Sequence, residues 1–410
     1  MNQAWDCVVV GAGVAGLACA RSLSRIGRRV LVLEGSGRIG GRVATDRVDG
    51  FQLDRGFQVL LAAYPTARAE LDYKALRLKP FYPGALVRVN GRFERVADPL
   101  LRPADGLRSL TNSIGSAGDK LRVARLRLQP ARLARYPDSC STLEALRQEG
   151  FGDVLLQRFF RPFLGGVFLE NELATGVRKL ESVWRAFSGG PTVLPERGMG
   201  AIPEQLAEDL PGGTVRLHAR VQSVESGRVV LEDGSSLLAK AVVLASGPRE
   251  LARLAGLPAP AMHATAALYF ACSTPPHREP ILVLNGEGFR TGDGGGRGGP
   301  IQTLVCLSQV SRSYAPAGSE LVSVSVVDRE ALAAGDLEWR VRTQLMQWYG
   351  AGAANWRHLR TDRIAHALPL APLQLGLPAG VHAAGDALGL ASLDGALQSG
   401  LAAARSVLAS

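Results

Sequence analysis

The sequence predicts an α/β fold, and three observations carry that expectation. Residues 6–10, Asp-Cys-Val-Val-Val, form a short apolar run that leads straight into Gly11-Ala12-Gly13-Val14-Ala15-Gly16. A helical pattern follows through Leu17, Ala20 and Leu23, and a second apolar run, Val30 to Leu33, ends in Glu34. Glycine-punctuated strand patterns return within 194–245, and a last helical pattern closes the chain after Gly385-Asp386. Strands alternating with helices at this spacing read as units of a parallel sheet.

Each element has a local cause. The run ending at Val10 shows no polar alternation, as expected of a fully buried strand. Gly27 stands where the first helix has to stop. Val215–Leu217 and Ala219–Val224 alternate like strands, Gly227 and Asp233-Gly234 mark hairpin turns, and Ala241–Ala245 reads as a buried strand. Residues 76–190 read as largely helical and basic, and 256–370 as strands mixed with loops. The many glycines between Asn285 and Pro300 predict a flexible loop.

Composition bounds the rest. With 410 residues, at about 150 per domain, two or three domains are expected. Apolar residues make up 46% and charged residues 20%, which excludes a disordered, collagen-like or disulfide-scaffold protein. The five cysteines, Cys7, Cys19, Cys140, Cys272 and Cys306, form no CxxC pair and fit buried thiols in a reducing compartment. Net charge is +10, yet only Lys74, Lys79, Lys120, Lys179 and Lys240 are lysines. That skew reads as genomic base composition, although a basic balance also favours an anionic surface or acidic partner. No nucleic-acid partner is expected. No apolar run reaches the roughly 18 residues of a spanning helix. Cys7–Ala20 imitates a signal-peptide core, but Asp6 stands where a basic residue belongs. The chain is therefore read as cytoplasmic. Residues 119–135 admit either a partly exposed helix broken near Pro130 or a membrane-peripheral segment.

The first glycine segment has the chemistry of a dinucleotide site. Gly11 permits a tight turn, Gly13 lets a pyrophosphate approach the backbone, and Gly16 lets helix and strand pack closely. The helix start, including Ala15, offers N–H groups and a partial positive charge to phosphates. Glu34 is placed to accept both ribose hydroxyls and to disfavour a 2′-phosphate. The domain is thus Rossmann-type. Just beyond, Arg38, Gly40, Gly41 and Arg42 stand in GRIGGRVAT. Two glycines bring the backbone close, and Arg42 offers a fork to a phosphate.

That GGR segment resembles the signature of FAD enzymes in the flavin amine oxidase, phytoene desaturase and protoporphyrinogen oxidase superfamily. The resemblance continues in Asp54-Arg55-Gly56-Phe57-Gln58, which is similar to the family segment near the flavin ring, and in 194–210, LPERGMGAIPEQLAEDL. It implies that Val221 holds the adenine through its backbone. The closing segment, AAGDALGLASLDGALQSGLAAA, resembles the family's GD segment and final helix. It implies that Gly385-Asp386 meets the ribityl or phosphate end. It also implies that the helix start after Ser392, at Leu393, faces the flavin and stabilises its reduced form. The fold implied is a glutathione-reductase-like FAD domain of residues 1–75, 191–255 and 371–410. A mixed α+β substrate domain, 76–190 and 256–370, is inserted into it. FAD is expected to be noncovalent, because no Cys or His sits in a recognisable flavinylation motif. No second GxGxxG and no redox cysteine pair support a disulfide reductase.

The acid–base inventory is thin. His218, His263, His277, His358, His366 and His382 give no metal spacing, so no metal is expected. His366 and Tyr269 are the candidates for a catalytic role, His366 because the resemblance brings its strand to the flavin; His382 reads as packing. Tyr269 is either a pocket or a core residue. Thin equipment suits flavin chemistry, since the cofactor accepts the hydride.

Departures from the family narrow the substrate. No lysine follows Lys240, whereas amine-oxidising members keep one near the flavin, and Ser392 stands where they place an aromatic residue. His366-Ala367-Leu368-Pro369 is more similar to the carotenoid desaturase and protoporphyrinogen oxidase branches. Gly56–Pro65 is similar to squalene-associated desaturases. The reading is hydride abstraction from an apolar, isoprenoid-like or tetrapyrrole-like small molecule, with oxygen or a quinone as acceptor left open. Its rivals are amine oxidation with oxygen and a non-redox FAD protein, an isomerase or a binding scaffold.

Overall fold

The computed structural model describes residues 4–109, 111–288 and 298–410. A parallel sheet runs in the order Val215–Arg216, Val30–Leu33, Trp5–Val10, Ser236–Leu244 and Val381–Ala383. Cys7 to Val10 and Val30 to Leu33 are all buried. Both faces of these strands are covered, which explains runs without alternation. The first half of Ser236–Leu244 pairs antiparallel with Arg228–Leu231, which pairs in turn with Val221–Glu225. Gly227 (φ 78°) and Gly234 (φ 81°) make the two turns.

The first helix, Val14–Arg25, packs against the last, Leu393–Ala409. A Cβ placed on Gly400 would lie 2.2 Å from the Ala15 carbonyl oxygen. The two helices therefore meet backbone to backbone, and the C-terminal segment is fixed against the glycine loop.

A second sheet has the order Arg357–Pro369, Met262–Cys272, Glu320–Val326, Thr303–Cys306, Leu282–Asn285, Gly84–Val89 and Arg92–Ala97. Two of these strands fall in the stretch read as largely helical. Asn90 (φ 50°) and Gly91 (φ 74°) both take left-handed backbone and turn the hairpin between them, the pairing that an Asn-Gly turn favours. Helices dominate only after Pro103. Among them are Ala117–Leu128 and Thr142–Gln148, each opened by a reciprocal cap, Ser116 with Asp119 and Ser141 with Glu144. The helix through 119 stops at Leu128, and a 3₁₀ stretch begins at Pro130.

The first sheet draws its strands from 1–75, 191–255 and 371–410, the second from 76–190 and 256–370. A small sheet of Leu60–Leu61, Thr192–Leu194 and Lys79–Pro80 joins them. All five cysteines are free thiols, four of them buried. Among the described residues no helix is long and apolar enough to cross a membrane. Most of the glycine-rich stretch between Asn285 and Pro300 lies outside the described residues.

Candidate functional site

Three glycines of the first loop serve three purposes. Gly11 has φ 112°, and a Cβ there would lie 2.7 Å from the Ala245 carbonyl oxygen. A Cβ on Gly16 would lie 2.0 Å from the Gly11 carbonyl oxygen. Around Gly13 a Cβ would meet nothing within 4 Å, so this residue presents bare backbone on the open face of the turn. No side chain caps the following helix, and its first turn holds no acid. Its leading N–H groups are available to an anion. Beside Gly11, the buried Ser246 hydroxyl has no hydrogen-bond partner among the described residues.

The second glycine turn docks on the first. Gly40 donates its N–H to the Ala12 carbonyl (2.8 Å), and a Cβ on Gly41 would touch Gly13 Cα at 3.5 Å. Both have left-handed backbone, with φ 100° and 59°. Glu34 closes the arrangement by accepting from the Ala12 N–H (2.9 Å) and the Ser36 N–H (2.9 Å). These bonds hold the carboxylate at the rim of the loop.

Arg42 ties the GG turn to the C-terminal segment. Its guanidinium pairs with Asp386 and donates to the Ala367 carbonyl at 2.8 Å. The fork expected to face a phosphate thus already bridges two chain segments, with further N–H donors left over. Gln58 donates to the carbonyls of Arg42 and Arg55, both at 2.8 Å. Gly56 (φ 82°) presses on Ile364, whose Cδ1 would be 2.8 Å from a Cβ. Gly385 (φ 148°) donates to the Ser399 hydroxyl at 3.0 Å. The structure therefore gathers Gly13, Gly40, Gly41, Arg42, Gln58 and Asp386 in one neighbourhood.

The remaining expected residues sit around it. Val221 is buried, and its carbonyl accepts from Arg253 at 2.8 Å. Ser392 caps the last helix through the Gly395 N–H (2.9 Å), and Leu393 is the first helical residue. Phe57 is half-buried, edge-on to Phe81 with ring centroids 6.4 Å apart. His366 is exposed, and Arg249 donates to its Nε2 at 2.5 Å. His382 bonds Ser406 at 2.9 Å.

Tyr269 occupies a core position. It is fully buried, and its hydroxyl donates to the Asp54 carbonyl. Asp54 itself is a buried carboxylate that accepts from Thr45 Oγ1 (2.5 Å), the Met199 N–H (2.9 Å) and the Tyr314 hydroxyl (2.9 Å). Burial pushes its carboxyl up to about 6 against these bonds, which pull the other way. The cluster ties Asp54 to the second sheet through Tyr269 and to Thr45, Met199 and Tyr314.

Sequence reasoning missed three groups, one of which, Lys179, lies in the field of Asp386. Lys179 is half-buried, with its ammonium 5.4 Å from the Phe168 ring centre. Burial lowers its pKa to about 8, opposed by the Asp386 and Glu170 carboxylates. His263 is likewise lowered by burial, within the fields of Glu170 and Lys179. Half-buried phenyl rings at Phe163 and Phe187 pair with centroids 5.1 Å apart. The aromatic-rich stretch 151–187 carried a signal for this apolar face; the distance between 179 and 386 in sequence hid the charge cluster. Among the described residues no set of His, Cys, Asp and Glu could hold a metal ion.

The open Gly13 backbone, the uncapped helix start and the orphaned Ser246 hydroxyl fit a dinucleotide's phosphates, and Glu34 fits its ribose. The family described as flavin containing amine oxidoreductase matches residues 14–408. A coproporphyrinogen III oxidase of Propionibacterium freudenreichii is 28% identical over 389 residues, 78% of this chain and 72% of the relative. Protoporphyrinogen oxidase 2 of Arabidopsis thaliana is 29% identical over 164 residues, 38% of this chain and 31% of the relative. An oxidoreductase from Methanosarcina mazei has the same fold, with TM-score 0.74 at 18% identity, covering 97% of this chain and 99% of that one. Putrescine oxidase bound to putrescine gives TM-score 0.71 at 18% identity over 100% of both chains. The chain belongs to the flavin-containing amine oxidoreductase family and is a flavin-dependent oxidoreductase.

Proposed function

We propose that the protein holds FAD noncovalently and oxidises an apolar, tetrapyrrole-like substrate. The observation that carries this reading is the likeness to a coproporphyrinogen III oxidase across 78% of the chain. The side chains support it. Bound flavin supplies a hydride acceptor. The loop of Gly11, Gly13 and Gly16 receives its phosphates, Glu34 its ribose, and the Val221 backbone its adenine. Arg42 and Asp386 join the loop to the C-terminal segment, so both ends of the site are held in register. The first sheet with its helices forms the cofactor portion, and the second forms the substrate portion. Half-buried Phe57, Phe163 and Phe187 offer apolar surface, worth about 25 cal/mol per Å² removed from water. Ser392 offers no ring face to an amine nitrogen.

Anaerobic bleaching of the flavin tests the substrate class. Coproporphyrinogen or protoporphyrinogen in detergent is expected to reduce it; primary amines and polyamines are expected to leave it oxidised. Rapid bleaching by a simple amine would replace this reading with amine oxidation. A tightly held flavin that no porphyrinogen, polyene or amine reduces would point to a non-redox protein.

A further inference from the structure

Leu121, Arg125 and Leu128 recur at helical spacing along Ala117–Leu128, and all three are exposed, while Leu126 is buried in the core. The apolar residues of this helix thus serve two opposite faces, which is why its sequence shows no single stripe. The outer leucines have company. Arg127 donates to Asp98 at 2.8 Å and draws the turn carrying Leu100 and Leu101 toward the Leu128 end of the helix. Gly106 packs on the same turn, since a Cβ there would lie 2.6 Å from Pro99 Cα, and Leu107 follows it directly. Lys120 donates to the Asn112 carbonyl at 2.9 Å and ties down the other end of the helix.

These five leucines are each 56–68% exposed. Elsewhere among the described residues only Ile26, Leu238 and Trp339 reach that range, on three separate elements. The charges around the leucines have one sign. Arg102, Arg108, Arg122, Arg125 and Arg135 are exposed. Asp105 and Asp119 are the only acids between 100 and 135, and both are engaged. Asp105 is half-buried and accepts from the Tyr82 hydroxyl at 2.6 Å. Asp119 is buried and caps its own helix with Ser116.

We propose that this face docks on an anionic lipid bilayer, with the leucines entering the acyl boundary and the arginines taking headgroup phosphates. Grouped exposed leucines are unfavourable in water and call for a cover. A nucleic acid would engage the arginines and leave the leucines wet; a bilayer interface takes both, because an arginine buries its stem and keeps its guanidinium at the phosphates. The inference depends on neither the flavin reading nor the substrate reading.

The test is co-sedimentation of the flavin-loaded protein with vesicles of equal parts phosphatidylcholine and phosphatidylglycerol. Wild type is expected to bind these, to ignore vesicles of phosphatidylcholine alone, and to be released by high salt. The double variant Leu121→Ser, Leu128→Ser and the double variant Arg108→Gln, Arg125→Gln are each expected to bind at least about tenfold more weakly. Both should keep the flavin content and melting temperature of wild type, because the four side chains are exposed. Trp339→Ser is expected to bind like wild type. No binding to the anionic vesicles would overturn the proposal. So would a leucine variant that binds as tightly as wild type, which would mark adsorption by charge alone. Binding lost equally in Trp339→Ser would place the contact on another face and overturn it as well.

Discussion

Gly16→Ala is expected to destabilise the protein by about 3 kcal/mol, the upper end of the overpacking range, and to abolish flavin retention. The added Cβ would sit 2.0 Å from the Gly11 carbonyl oxygen and 3.2 Å from the Ala245 Cβ. Both atoms belong to backbone or to a buried strand end, so neither can swing aside. Either the helix lifts off the sheet or the Gly11 turn opens, and both move the helix start that faces the phosphates. Gly13→Ala is the internal control. Its Cβ meets nothing within 4 Å, so the melting temperature should stay near wild type while flavin retention falls, because a methyl group would cover the bare backbone. Thermal unfolding and the flavin-to-protein ratio read both effects. A Gly16→Ala protein that melts like wild type would contradict the packing argument.

Asp54→Ala is expected to cost about 4 kcal/mol, in the range of orphaned buried donors. Thr45, Met199 and Tyr314 each donate to its carboxyl group, and Met199 and Tyr314 are buried away from solvent. Asp54→Asn removes the charge and keeps one acceptor oxygen, with an amide donor in place of the other. Burial raises the Asp54 carboxyl from 3.8 to about 6, so the folded state binds its proton more tightly than the unfolded state. Its contribution is full below pH 3.8 and is lost as pH rises through about 6. The loss is at most about 3 kcal/mol. Urea unfolding across this window should show wild-type stability falling relative to Asp54→Asn. At pH 7 the asparagine variant should equal or exceed wild type. Parallel pH profiles for the two proteins would contradict a buried, proton-binding Asp54.

What the chain revealed in advance was local. Glycines at 11, 13 and 16 followed by an acid at 34 form a unit of strand, turn, helix and second strand, and their spacing alone gives the geometry. The Asn90-Gly91 hairpin was equally local, but basic residues on either side masked its alternation. Tyr269 was ambiguous because a strand residue between two others reads the same whether its hydroxyl meets a ligand or a backbone carbonyl. The Arg42–Asp386 pair and the cluster around Lys179 join residues more than 200 positions apart. Only the packing of the last helix on the first, through Gly400 and Ala15, brings the C-terminal segment to the glycine loop. No periodicity encodes such a contact; small residues at 15, 16 and 400 permit it.

The central claim is that this loop holds FAD noncovalently, with Glu34 on its ribose. Dialysis of wild type and Glu34→Ala, followed by acid precipitation of each, measures it most directly. Wild type is expected to release one FAD per chain into the supernatant. Glu34→Ala should stay folded and bind FAD about ten- to a hundredfold more weakly, the loss of roughly 1.5–3 kcal/mol of charge-assisted bonding. Bound NAD in place of flavin, flavin that stays with the precipitate, or a Glu34→Ala affinity equal to wild type would contradict the account.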